Sequence, residues 1–306
     1  MITSSNNNES KGYLLVFIGG ILWGTIGPFI RIMEYNNSSS SLTSFLRMAF
    51  AFVILVVITI AKYGFRSLKI DKKSLIFCAI LGLICHGINN LFYSISVTLT
   101  GVTISAVLLN VAPVFTAMMS GLLFKEKITK GKAIALVINI LGCILAATGG
   151  KVDASMLSIT GILCGLAAGF CYSMTAIIGR FLGEKSNAFV ISTYSYMFAA
   201  IFLIIFTNPC ETPAILNVSV LITGFFYALI PTAIAYIFYY QGVQLITEIS
   251  KVPIIASVET AIAGIIGVAA FHEKINALNL LGILLVMASI GLMNSKATTR
   301  KDNKYI

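Results

Sequence analysis

The sequence predicts an all-α integral membrane protein, with ten transmembrane helices arranged as two inverted repeats of five. Three observations carry this reading. Only 10% of the 306 residues are charged while 58% are hydrophobic, whereas a soluble domain needs about a quarter charged residues to cover its surface. Ten apolar segments are each long enough to cross a bilayer, since about 30 Å of hydrocarbon takes about 20 residues as helix. Those segments also fall into two sets that match at an offset of 147–149 residues.

In chain order the segments are 12–33, 41–62, 74–96, 102–124, 132–149, 156–180, 187–206, 217–242, 250–271 and 276–294. Each is mainly Ile, Leu, Val, Phe, Ala and Gly, and the short connections leave no room for a soluble domain. The expected organisation is a disordered Ser/Asn-rich start (1–11), a first five-helix repeat (12–149), a second inverted repeat (150–295) and a basic tail (296–306). No cleavable signal peptide is expected. The first apolar segment is too long for one and runs through Pro28 and Arg31 without a small-residue cleavage site.

Charge sets the orientation. Of 21 Lys and Arg, 17 fall on the side of the N-terminus if the segments alternate, and only Arg31, Arg47, Lys151 and Lys274 on the other. By the positive-inside rule both ends are cytoplasmic, and the expected location is the cytoplasmic membrane of a bacterium. The net charge of +10 is dispersed over loops, so no nucleic-acid partner is implied. Five cysteines lie in apolar helices, Cys210 stands alone in an outer loop, and no CxxC occurs. They read as small buried hydrophobes. Neither a metal nor a cofactor is expected.

The repeat is visible in short matches. Phe124-Lys125-Glu126-Lys127-Ile128 aligns with Phe271-His272-Glu273-Lys274-Ile275 at an offset of 147, which also sets Val111 against Val258 and Tyr93 against Tyr240. An offset of 149 aligns Gly12, Gly20 and Arg31 with Gly161, Gly169 and Arg180, and places Trp23 against Tyr172. Because five helices is an odd number, the second half enters the membrane upside down. Inverted halves cradle a midplane site in many secondary carriers.

Two five-helix halves, an arginine early in helix 2 (SFLRMAFAF) and a helix 4 running from Pro113 to a terminal Glu126 together resemble the EamA-type transporters of the drug/metabolite transporter superfamily. The resemblance covers essentially the whole chain. It implies export of amino acids or other small metabolites through a central cavity lined by helices 1, 3, 4, 6, 8 and 9. That family usually carries Glu-Pro in helix 9. Here the pair is Glu259-Thr260, so proline kinks are expected at Pro113 and Pro231 rather than in helix 9.

Glu259 is the main candidate, because an ionisable residue within a membrane span marks a functional site by default. It is expected to bind a substrate amine, carry a coupling proton, or both. His86, Asn90 and Tyr93 recur at helical spacing with Asn89 beside them and make a polar stripe on helix 3. Asn89 and Tyr93 correspond through the repeat to Tyr236 and Tyr240 of helix 8, so the two stripes are expected to face each other. Trp23 and Tyr172 are candidate aromatic walls, and Asn110 is a weaker addition. Arg47 lies about 8 Å into helix 2 at 1.5 Å per residue. It is expected to snorkel to the outer interface, the other reading being a carboxylate anchor.

The expected function is a secondary transporter exporting amino acids or related metabolites by alternating access, with a small-molecule substrate and the bilayer as partners and a monomer as the default state. Export of cationic compounds is the nearest alternative. An integral-membrane enzyme is the rival class, but the sequence shows no nucleophile with a base and no metal-ligand spacing. A channel is less favoured, since filters use rings of like groups.

Overall fold

A computed structural model describes residues 2–151, 158–183, 186–207, 216–272 and 274–294. Expectations for Cys210, Glu273 and the tail 296–306 lie outside these residues. The protein is all-α. Eight described stretches are long and apolar enough to span a membrane, and two shorter apolar helices, Ala112–Phe124 and Ala277–Met293, accompany them.

The first span is α1 (Ile2–Trp23) and α2 (Ile26–Tyr35), broken at Gly24-Thr25. Helix therefore replaces the disordered start expected for 2–11. Once an apolar helix is nucleated, each added residue gains a backbone hydrogen bond, and Tyr13 donates to Glu9 at 2.7 Å one turn away. Next come α3 (Ser40–Tyr63), α4 (Lys72–Ile80), a π-helical turn at Leu81–Ile88, and α5 (Asn89–Leu109). The chain reverses within α5 at Gly101, whose φ of 79° and ψ of 161° only glycine adopts readily. This reversal separates the third span from the fourth. The fourth resumes as α6 (Ala112–Phe124) after a turn at Asn110-Val111, and α7 (Lys130–Thr148) ends the first half.

The second half holds α8 (Ile159–Gly183), α9 (Ala188–Leu203) and α10 (Val218–Ala228), then a π-helical turn at Leu229–Ile234 leading into α11 (Ala235–Leu245). The ninth span is α12 (Val252–Ala256) and α13 (Val258–Phe271), and α14 (Ala277–Asn294) follows.

The repeat extends to local geometry. The π-helical turns of the third and eighth spans fall at equivalent positions. Lys125 and His272 both terminate their helices in the left-handed conformation, at φ 56° and 54°. Helix starts also match, because polar side chains accept the orphan N–H of the first turn. Ser39 caps Leu42 as Asn187 caps Val190, Asp71 caps Ser74 as Asn217 caps Val220, and Thr129 caps Lys132 as Asn276 caps Asn279.

Packing follows the same two-fold relation. α1 packs on α11 and its counterpart α8 on α5, while α3 packs on its own counterpart α9 and α7 on α14. Small residues set these approaches. A Cβ at Gly20 would sit 2.7 Å from Ala256 O, and one at the equivalent Gly169 would sit 2.9 Å from Leu108 O. Both contacts seat an unbroken stretch of helix against a broken span.

The ninth span breaks at Ser257 even though no proline follows Glu259. The Ser257 N–H reaches back to Pro253 O, and its hydroxyl donates to Ile254 O at 2.6 Å. Asn139 of α7 donates to Ser257 Oγ at 2.6 Å and to Ser289 Oγ of α14 at 3.0 Å. A buried amide thus ties the break to the fifth and tenth spans.

Candidate functional site

The break at Ser257 places Glu259 in the first turn of α13. There the unpaired N–H groups and the helix dipole favour a negative charge, which is one reason a carboxylate is tolerated inside an apolar span. The side chain is half-buried. It lies within electrostatic reach of the hydroxyls of Tyr93, Tyr172, Tyr236 and Tyr239 and of the Arg47 guanidinium.

An aromatic cluster stands beside it. The Trp23 ring, at the end of α1, is 4.8 Å from Tyr236, 4.9 Å from Tyr239 and 6.2 Å from Tyr172. His86, in the π-helical turn before α5, is 4.9 Å from Tyr196 and 5.1 Å from Tyr236. Tyr240 joins at 5.7 Å from Tyr236 and 5.5 Å from Tyr239. The first, third, seventh and eighth spans thus meet at Tyr236. Trp23 Nε1, His86 Nε2, Tyr196 OH and Tyr240 OH are buried without a hydrogen-bond partner among the described residues. Such a concentration of unmatched polar atoms calls for an explanation, and polar ligand groups supply one.

The structure brings Trp23, His86, Tyr172, Tyr236, Tyr240 and Glu259 together, with Tyr93 within reach of the carboxylate. The asparagines do other work. Asn89 donates to Ala168 O of α8 at 2.7 Å, and Asn110 to Ala106 O at 2.9 Å beside the break. Asn90 bonds the His86 carbonyl and accepts from Ser44 of α3. The polar stripe of the third span therefore splits. His86 turns to the cluster, while the two amides beside it tie helices together.

Arg47 corrects an expectation. It does not snorkel outward. Its Nε donates to Thr232 Oγ1 at 2.7 Å and its Nη1 to Tyr227 OH at 3.2 Å, with the guanidinium 4.8 Å from the Tyr227 ring centroid. The inward turn gives it acceptors and a π face in the eighth span, which the route to the interface would forgo. Tyr196 and Tyr239 also escaped the sequence reading. Tyr239 could have been found in the run Tyr236-Ile237-Phe238-Tyr239-Tyr240, but nothing in the apolar α9 singles out Tyr196.

A second polar centre lies at the bundle face that carries the start of α1. Glu248, between α11 and α12, pairs with Lys132 of α7 at 2.7 Å and with Lys251 at 2.7 Å. Burial works against the Glu248 carboxylate, but the two ammonium groups outweigh it and hold its pKa below the ordinary value. Glu126, just past α6, accepts from Ile249 N–H at 2.6 Å and from the Ser250 hydroxyl at 2.6 Å, and so caps the start of the ninth span. Lys251 donates to Tyr13 OH at 3.2 Å. This network joins the two halves. At the opposite face the described counterparts of Glu248, Ser250, Lys251 and Lys132 are Gly101, Thr103, Ile104 and Asn279, none of which carries charge.

Comparison with known proteins agrees with this architecture. A solved crystal structure superimposes with a TM-score of 0.79 at 15% identity, over 96% of this chain and 99% of that one. An uncharacterized transporter of Archaeoglobus fulgidus is 22% identical over 91% of this chain and 94% of its own length. The uncharacterized inner membrane transporter YicL of Salmonella typhimurium is 23% identical over 95% and 97%. The model of the EamA-like transporter family matches twice, over residues 10–148 and 159–295, once for each half. With both halves matched and the helix breaks repeated between them, the chain belongs to the EamA-like transporter family.

Proposed function

We propose that this membrane transporter is a secondary carrier of amino acids or related small amine-bearing metabolites. It exports them across the cytoplasmic membrane of a bacterium, with both termini inside. One observation supports the substrate class most: the Glu259 carboxylate at a helix break in the ninth span, beside the rings of Trp23, Tyr172, Tyr236 and Tyr239. A carboxylate beside aromatic faces recognises an ammonium group by charge and by cation–π attraction. Broken helices near the midplane are also where secondary carriers place their sites. In this reading Glu259 exchanges the substrate amine for a proton, which would couple transport to the proton gradient.

The polar network at the face of the N-terminus supports alternating access. Lys132, Glu248, Lys251 and Glu126 clamp the two halves there. In this reading the network is the contact that must part when the site opens to the cytoplasm. The aromatic walls also favour a second reading, a carrier of cationic compounds without a carboxylate.

Proteoliposomes containing only this protein test the proposal. Uptake or counterflow of radiolabelled amino acids, absent from protein-free vesicles, is the expected result. Vesicles that move neither amino acids nor organic amines under any gradient would overturn it.

A further inference from the structure

Arg47 is a cation inside a membrane span, and its hydrogen-bond partners are neutral. Thr232 and Tyr227 accept from Nε and Nη1, and no ion pair to a carboxylate forms among the described residues. Its acceptors are themselves fixed. The Thr232 hydroxyl donates to Tyr227 O at 3.0 Å, and the Tyr227 ring stacks on Phe29 at 5.6 Å. The guanidinium is therefore held along one edge, within electrostatic reach of His86, Tyr196, Tyr236 and Glu259. Arg180, by contrast, donates to the backbone carbonyls Gln244 O and Ile246 O.

We propose that Arg47 is the second anchor of the substrate site, receiving the carboxylate of a zwitterion whose ammonium faces Glu259. This rests on the carrier reading above and narrows it. Guanidinium and carboxylate form charge-assisted, often bidentate bonds, and the edge not committed to the eighth span is free to make them. The pair also discriminates. A simple cation is drawn by Glu259 but repelled by Arg47, and a simple anion meets the reverse, so only a dipolar ligand satisfies both. Free amino acids are favoured over their esters, amides and decarboxylated amines.

The test is binding by purified protein, using L-leucine and L-phenylalanine with the methyl ester and the N-acetyl derivative of each. Wild-type protein is expected to bind at least one free amino acid ~10-fold or more tighter than either derivative, the scale of one good charged contact. Arg47→Gln is expected to erase the preference over the methyl ester while leaving ester binding within a few-fold of wild type. Arg47→Lys keeps the charge but loses the planar fork, so an intermediate preference is expected, and it serves if the Gln variant does not fold. The ratio of free acid to ester is the readout, since a merely structural role would move both together. An unchanged ratio in either variant overturns the proposal. Wild-type protein that binds esters as well as free acids also overturns it, yet leaves the carrier intact as a transporter of cations. Failure to bind any of the six compounds counts against the zwitterion site, whereas the carrier reading is judged separately by vesicle transport.

Discussion

Glu248 and Lys132 lie 116 residues apart in sequence and 2.7 Å apart in space, joining the connection before the ninth span to the start of the fifth. Lys132 is only 1% exposed, and an ammonium group so placed is stable only while its anion is present. Glu248→Gln leaves Lys251 without its carboxylate and Lys132 with only the more distant Glu126, at 4.0 Å. The expected cost is about 3 kcal/mol, typical of removing one member of a buried pair. Thermal unfolding in detergent at neutral pH measures it, and an unchanged midpoint would show that the network adds no stability.

The same pair sets a pH dependence. Glu248 has its pKa lowered from an ordinary 4.5 by Lys132 and Lys251 against the cost of burial. A depressed carboxylate contributes stability above its unfolded-state pKa and loses it as pH falls through the folded value. Wild-type stability from this source is therefore expected to be level from neutral pH down to about 4.5 and to fall below that. Melting curves of wild type and Glu248→Gln should converge in acid. Parallel curves throughout would contradict the assignment.

Gly20 and Gly169 offer a test of the repeat as packing. At Gly20 a Cβ would meet Val258 Cγ1 at 2.6 Å as well as Ala256 O at 2.7 Å, and Gly169 has Leu108 O at 2.9 Å. Valine at either position is expected to destabilise by about 2 kcal/mol or more, as overpacking does. Similar losses for the two variants would fit the shared geometry. A harmless Gly169→Val would mean that the sixth span does not seat on the fourth.

Trp23 separates a wall of the site from packing. Trp23→Phe keeps an aromatic face with less area, and Trp23→Leu removes the π system. Cation–π attraction is worth about 0.5–2 kcal/mol, so the leucine variant is expected to bind an amine ligand several-fold or more weakly than the phenylalanine variant. Equal affinities with intact folding would make Trp23 part of the core only.

The spans, the repeat and Glu259 were legible because each depends on composition or on matches along the chain. Hydrocarbon-length segments need no partner to be recognised, and one carboxylate among apolar residues stands out. Directions were harder to read. In a helix that is apolar all round, periodicity does not say which face meets the bundle, so nothing singles out Tyr196, and Arg47 is expected at the interface. Asn89 and Asn110 are expected as ligand contacts, and each also donates to a backbone carbonyl, Ala168 O and Ala106 O. Breaks depend on long-range bonds as well. At the break Asn139 reaches Ser257 from another helix, a relation no local motif carries.

The most direct test of the central claim, that Glu259 handles both substrate and proton, is vesicle uptake by wild type and Glu259→Gln from pH 5.5 to 8.5. Glutamine keeps the shape and hydrogen-bonding capacity of the side chain and removes only its charge and its proton. The expected result is a folded variant whose uptake is abolished or no longer varies with pH, beside a wild type whose rate does. A glutamine variant transporting at the wild-type rate with the wild-type pH profile would contradict it and leave Glu259 a packing residue.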